Sequence, residues 1–423
     1  MSNTQEKYWF GKAPGHWNTV RVKSLFRLAC ESSKDNHGME LLSVYTDIGV
    51  KPRKELEQKG NKASTTDGYW IVRKGDLVVN KLLAWMGAVG YSEYNGVTRP
   101  AYDILRARTT SINPKFYHYL FRLKLTQGEF RRWSKGIMDM RLRLYFSELG
   151  NVFIPCPPLS EQNAIVEFID NETDRIDQLI EKKEKLNQLI NEKRKNTISS
   201  AVLGLDAPFS RYDRKEIKLK FVVDIISQKV PYGSIGATYI GLEHIKPWTG
   251  EIIEENDAQP EGLVSKFKSG DVLFGKLRPN LAKAALPNFD GVCSTEALVL
   301  RPRKTKIDAS YLRYCLSEQT FIEDVVGSTY GAKMPRASWE FIGSRRLLLP
   351  DVGVQSNVVR QLNSYTKSID KLINLSEESI KSLENFKISL ITEAVTGQLD
   401  IKSWKKRGST DERLDNIEES MRT

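Results

Sequence analysis

The sequence predicts an α+β protein built as a pseudo-two-fold repeat: two tandem α+β domains separated by a long antiparallel two-helix coiled coil. Three observations carry this. The 423-residue chain repeats itself at an offset of 193, which lays Pro157 on Pro350, Gln162 on Gln355 and Thr173 on Thr366. The same shift lays Ile176-Asp177 on Ile369-Asp370 and Ala201-Val202-x-Gly204 on Ala394-Val395-x-Gly397. So long a period is a duplicated domain-plus-helix unit and not a solenoid. The segment ending each repeat has heptad spacing, and the block before each alternates turn signals with short apolar runs.

The order of parts is then a first block at 1–158, a helix at 159–206, a second block at 207–350, a helix at 351–401 and a charged flexible tail at 402–423, mobile from about Trp404. The blocks align with small gaps. Val20-Arg21-Val22-Lys23 matches Ile217-Lys218-Leu219-Lys220, and Tyr119-Leu120 matches Tyr311-Leu312. Gly75-Asp76 before Leu77-Val78-Val79-Asn80 matches Gly270-Asp271 before Val272-Leu273-Phe274-Gly275, a turn feeding a buried strand. Asn95-Gly96 and Asp290-Gly291 read as hairpin turns. Tyr102–Arg106 and Ala297–Arg301 read as further strands, and 114–127 and 308–326 as helical.

The helices follow from apolar residues at sevens. Ile169, Ile176 and Ile190 hold one seam position of the first, with Leu179 and Leu186 at the partner position three residues on. Leu362, Ile369, Leu383 and Leu390 do so in the second, with Tyr365, Leu372 and Phe386 beside them. Lys183, Ser376 and Ser379 interrupt the seam, which weakens it and can fix its register. Prolines precede each helix, Ser160 suits an N-cap, and Gly204 and Gly397 close them.

Charge is unevenly spread. Of the formal +11, residues 1–158 carry 25 Lys+Arg against 14 Asp+Glu, and 207–350 carry 21 against 17. The segments 159–206 (7 against 10) and 351–423 (11 against 12) are neutral to acidic. A polyanion would therefore meet the blocks and not the helices. No apolar run long enough for a membrane span occurs. The four cysteines and four histidines share no metal-ligand spacing, so reduced thiols are expected. Nucleotide-binding, methyltransferase, nuclease and hydrolase motifs are missing: Gly233-Ser234-Ile235-Gly236 lacks the lysine of a phosphate loop, and Glu181-Lys182-Lys183 lies on a solvated helix face. The chain reads as a recogniser and organiser.

Two unlike blocks, each followed by Pro157-Pro158-Leu159-Ser160-Glu161-Gln162 or a worn version, lead to a helix closing in Ala394-Val395-Thr396-Gly397-Gln398-Leu399-Asp400 or its counterpart. With Gly275-Lys276-Leu277-Arg278-Pro279-Asn280-Leu281 and Gly291-Val292-Cys293-Ser294-Thr295-Glu296, this order resembles the specificity subunit of type I restriction–modification enzymes over roughly 17–400. The second copy departs at Asp351-Val352-Gly353-Val354-Gln355, which lacks the Pro-Leu and the Glu. The resemblance implies double-stranded DNA as a partner, with two methyltransferase (modification) subunits and added restriction translocase–nuclease subunits. It implies one DNA target-recognition domain (1–158, 207–350) per half of a split asymmetric site, with the helices setting the gap. It also implies a cytoplasmic, non-catalytic chain that binds no cofactor, S-adenosylmethionine, ATP and magnesium being used on other subunits.

Lysines and arginines of both blocks are expected to hold phosphates while loop side chains read bases. Candidates are Lys81, Trp85, Arg131, Arg132, Arg141 and Arg143 in the first block, and Lys276, Arg278, Lys283, Lys333, Arg336 and Arg345 in the second. Each could instead be a solubilising charge, and Trp85 a core aromatic. The rival for the whole chain is a duplicated adaptor that joins two enzyme subunits without touching DNA.

Overall fold

The computed structural model describes residues 8–33, 39–56, 68–138, 141–233, 236–253, 260, 262–331, 333–401 and 404. The chain forms two compact units, Met1–Lys182 with Glu378–Thr423, and Lys183–Glu377. Each long helix thus gives one half to each unit.

In the first unit the run after Gly75-Asp76 is wholly buried as the strand Leu77–Asn80. It is third in an antiparallel sheet ordered Phe26–Leu28, Tyr102–Ala107, Leu77–Asn80, Val89–Tyr91. The second unit repeats that order with Val223–Ile226, Ala297–Pro302, Val272–Gly275 and Ala284–Ala285. The register repeats too: Val78 faces Ile104, and Leu273 faces Val299. Against one face lie Pro114–Arg122 and Lys124–Trp133, or Ala309–Leu316 and Gln319–Gly327. Phe26, Phe116, Tyr117, Phe121 and Phe130 are completely buried there, each contributing about 1.5–3 kcal/mol.

The Gly-Asp turns are built alike. Gly75 and Gly270 take positive φ, and Asp76 and Asp271 accept from the Arg73 and Lys268 N–H, both at 2.8 Å. Each aspartate then takes an arginine from the neighbouring strand two-pronged, Arg106 at 2.8 Å on both oxygens and Arg301 at 2.7 and 2.8 Å.

Asn95-Gly96 and Asp290-Gly291 are not hairpin turns. Val89–Tyr91 pairs with Leu77–Asn80, whereas Gly96–Thr98 pairs with Trp70–Val72 in another sheet. The Asn95 and Asp290 side chains instead accept from the Lys74 and Ser269 N–H at 2.9 and 2.8 Å. Gly96 is needed for close approach, since a Cβ there would sit 2.3 Å from the Glu40 carbonyl. The pairing of Tyr119 with Tyr311 also shifts. Asn113 and Asp308 cap the equivalent helices, which aligns Tyr119 with Tyr314. The hydroxyls agree: Tyr119 donates to Asp170, and Tyr314 donates to Asn363, which is Asp170 displaced by 193.

The long helices run Leu159–Leu203 and Val352–Val395. Ser160 lies inside the first turn and is not its cap; the Glu161 and Gln162 N–H groups donate to the Pro158 carbonyl. Gln162 bridges the Pro157 carbonyl and the Asn113 N–H, as Gln355 bridges Pro350 and Asp308. Gly204 and Gly397 close the helices in left-handed conformation, and Leu205 and Gln398 donate five residues back.

The helices are antiparallel. In the first unit Lys387 Nζ reaches both Asp177 oxygens at 2.6 Å; in the second Arg194 Nε approaches Asp370 at 3.3 Å and Thr197 donates to Tyr365. As one residue number rises, its partner's falls. The 193 shift turns Asp177–Lys387 into Asp370–Arg194.

Ile169, Ile176, Leu362, Ile369, Leu383 and Leu390 are buried, and Leu179 and Ile190 are half-buried. Leu186 and Leu372, however, are 51% and 55% exposed. Positions four residues on, at Val166, Thr173, Ile180 and Ala201, and at Val359, Thr366, Ile373 and Ala394, are also buried or half-buried, alongside Leu179, Tyr365, Ser379 and Phe386 three residues on. Residues three and four apart share a helix side. At the helix ends Ile165 and Val166, and Ile198 and Val202, enter the cores of the units. Trp404, where a mobile tail is expected to begin, is buried with its ring 5.9 Å from Phe168; 402–403 and 405–423 lie outside the described residues.

Candidate nucleic-acid interface

In each unit the buried central strand runs into a loop locked to a second loop. Lys81 donates to the Ala101 carbonyl at 3.3 Å and accepts from Leu144 at 2.9 Å. Lys276 does the same with Glu296 and Ala337, both at 3.0 Å. The second loop is pinched by a bridge, Lys135–Arg143 or Tyr330–Arg336, beside Gly136 or Gly331. Gly136 has φ 153°, and a Cβ there would lie 2.5 Å from the Arg141 carbonyl, so only glycine fits.

These paired loops collect Lys81, Arg141 and Arg143 in the first unit, and Lys276, Arg278, Lys333 and Arg336 in the second. Lys81 is turned inward, donating to the Pro100 carbonyl at 2.6 Å and approaching Asp103 at 3.4 Å. Arg141, Arg143, Lys276, Arg278 and Lys333 carry no ion pair among the described residues. Arg278 (φ 49°) and Ala282 (φ 45°) flank the short helix Pro279–Leu281 in left-handed conformation, strain of about 1–3 kcal/mol each that clusters at functional loops. Arg336 is held by both Glu296 oxygens at 3.0 and 3.2 Å, which raises its pKa. Glu296 has its counterpart in Ala101.

Trp85 is half-buried, donates to the Leu82 carbonyl at 3.0 Å and lies under the Arg131 guanidinium at 5.3 Å. Arg132 is 80% exposed and 3.6 Å from Glu129. Lys283 donates to the Leu242 carbonyl at 2.5 Å, and burial pulls its pKa down. Arg345 does not join the group; it pairs with Asp324 at 3.4 Å and stacks on Phe341 at 4.1 Å beside the strand Arg346–Leu349.

The structure adds residues that the sequence did not single out. Ile137 is 97% exposed at the tip of the first pinched loop, next to Met138 at 54%. Tyr330 and Met334 stand on the second loop at 64% and 54%. Arg99 is exposed two residues before Ala101. Apolar tips amid cations suit base edges and thymine methyls. The stretches that hold them, 136–143 and 328–336, are where the two repeats diverge in sequence, but nothing in the sequence marks these side chains as exposed. Among the described residues no group of three or more His, Cys, Asp or Glu could hold a metal, and no helix is long and apolar enough to cross a membrane.

The two units thus share a framework and present unlike loops. Residues 14–191 match the family described as type I restriction modification DNA specificity domain. The chain is 21% identical over 429 residues to the type I restriction enzyme EcoDI specificity subunit of Escherichia coli, covering 92% of this chain and 90% of that one. It is 22% identical to the MjaVIII specificity subunit of Methanocaldococcus jannaschii, over 78% of this chain and 81% of the other. A solved chain described under complex assembly and conformational transition of the type I R-M system shares the fold, with a TM-score of 0.69 at 14% identity, covering 92% of this chain and all of that one. The resemblance read from the motifs is borne out: residues 14–191 match the type I specificity domain, and over most of its length the chain is similar to type I restriction enzyme specificity subunits.

Proposed function

We propose that this chain is the DNA-reading subunit of a type I restriction–modification complex, each unit recognising one half of a split, asymmetric site. The observation that carries the reading is the contrast within the repeat: hydrogen bonds that orient the loops recur in both units, while the loop side chains differ. In this reading Arg141, Arg143, Lys276, Arg278 and Lys333 meet DNA directly, Arg131, Arg132, Lys81, Lys283 and Arg336 support them, and Ile137 and Tyr330 touch bases. Helices of 45 and 44 residues, about 65 Å long at 1.5 Å per residue, exceed one DNA turn and set the gap between half-sites. The chain is non-catalytic and cytoplasmic; two modification subunits and the restriction subunits dock on it and use S-adenosylmethionine, ATP and magnesium.

The test is titration with duplex DNA at varied salt, with and without modification subunits. Binding that weakens steeply with salt and prefers a two-part sequence is expected. A flat salt response would favour the adaptor that joins enzymes without contacting DNA.

A further inference from the structure

Each unit has a loop closed by a left-handed glycine, Gly49 (φ 79°) or Gly250 (φ 70°), lying against the capped helix. A Cβ on Gly49 would meet His118, and one on Gly250 would meet Arg313. His118 and Arg313 stand equally far after their caps Asn113 and Asp308, so the loops correspond residue by residue. Asp47 therefore occupies the place of Trp248.

In the second unit Trp248 fills that place. Its half-buried indole packs on the core, with Lys195 Nζ 3.7 Å from the ring centroid. Its carbonyl accepts from Arg194 Nη1 at 2.9 Å, its N–H donates to Leu281 at 3.1 Å, and Arg313 holds the next carbonyl at 2.7 Å. These contacts keep a bulky residue at φ 63°, which is otherwise disfavoured.

In the first unit the shorter Asp47 side chain leaves a cavity of about 480 Å³, within the range of ligand pockets. Its wall includes Lys387 and Ile388, the residues that the 193 shift equates with Arg194 and Lys195. Ile48, Leu125 and Ile388 are large apolar side chains roughly half exposed around it. Two of the cations on the wall are engaged: Lys387 by Asp177, and Arg122 by the Thr46, Asp47 and Val89 carbonyls. Lys124, the remaining lysine of the wall, is exposed at its edge, so a phosphate-bearing group would find both inner cations taken, whereas a neutral ring would find apolar contacts.

We propose that this cavity is a socket for a tryptophan-like aromatic side chain presented by a partner protein, matching what Trp248 supplies within the chain in the other unit. The proposal goes beyond DNA recognition and does not depend on it.

The test uses the full chain with N-acetyl-tryptophanamide as probe, followed by ligand-observed saturation-transfer NMR. Saturable binding is expected, at least ten-fold tighter than for N-acetyl-leucinamide. Asp47→Trp should abolish it by placing a ring of its own in the socket. Ile388→Trp, at a half-exposed helix position that tolerates substitution, should do the same if Asp47→Trp fails to fold. Trp248→Ala should add a second binding equivalent. No saturable binding to the unaltered chain, or undiminished binding to the folded filled variants, would overturn the proposal. Binding of free indole with exclusion of N-acetyl-tryptophanamide would overturn the partner-protein source.

Discussion

Arg143 in the first unit and Arg336 in the second stand on the same kind of pinched loop, each bridged to the residue that opens it. Beside Arg336 is Glu296, which clamps its guanidinium; in the first unit the place of Glu296 is taken by Ala101. Beneath both, the bonds are nearly interchangeable: Arg106 on Asp76 or Arg301 on Asp271, Gln162 on Asn113 or Gln355 on Asp308. Duplication has kept what orients the loops and varied what they present. The proposed reading of two unlike half-sites calls for that division of labour.

The framework half of the comparison should break first. Asp76 and Asp271 side chains are 3% and 2% exposed, so Arg106→Leu or Arg301→Leu leaves a buried carboxylate without its main partner. Each should destabilise its own unit by about 3–5 kcal/mol, the second somewhat less because Arg301 is itself 40% exposed. Calorimetry that resolves the units would read this, and equal small losses would deny the framework role.

The helix seam comes next. Ile176→Ala and Ile369→Ala should each cost about 2–5 kcal/mol, whereas Leu186→Ala and Leu372→Ala stay within about 0.5 kcal/mol. Chemical denaturation separates the two sets, and a large Leu186 effect would place that side chain in the seam.

The loops should then part company in specificity. Arg141→Ala and Arg278→Ala should each relax one half-site by about 1–3 kcal/mol if the residue reads a base. A phosphate contact would instead weaken all sequences alike and lower the salt slope by about one. Competition binding against site variants distinguishes these.

The smallest effect is a difference in acid sensitivity. His118 accepts from the Tyr91 N–H, and burial, aided by Arg122 and Lys115, pushes its pKa from 6.5 down to about 3. Its folded value lies below its unfolded one, so its contribution is complete above pH 6.5 and is lost as pH falls toward 3. At pH 5.5 the first unit should be about 1.2 kcal/mol less stable than at pH 7 from this group. The second unit has Arg313 there and lacks this term. His118→Gln should flatten the difference in pH-dependent melting.

The repeat, the helices and the central strands were legible because they rest on local identities: a fixed offset, sevenfold spacing, Gly-Asp before an apolar run. The exposure of Leu186 and Leu372 was not, since positions three and four residues on share a side and both lines are covered in part. Asn95-Gly96 misled because its glycine serves close approach and not a turn. Within the candidate site, charge and loop position gathered the right segments. They could not show that Lys81, Lys283 and Arg336 are engaged by Asp103, Leu242 and Glu296, partners distant in sequence that only the fold brings near. Nor could they show that Ile137 points outward at the loop tip.

The most direct test of the central claim is a map of methylated positions in host DNA, comparing the unaltered chain with one whose residues 136–143 are replaced by those of another type I specificity subunit. The account predicts a two-part methylated site in which one half changes sequence while the other half and the gap stay fixed. Methylation that is unaffected, or that changes in both halves together, would contradict it.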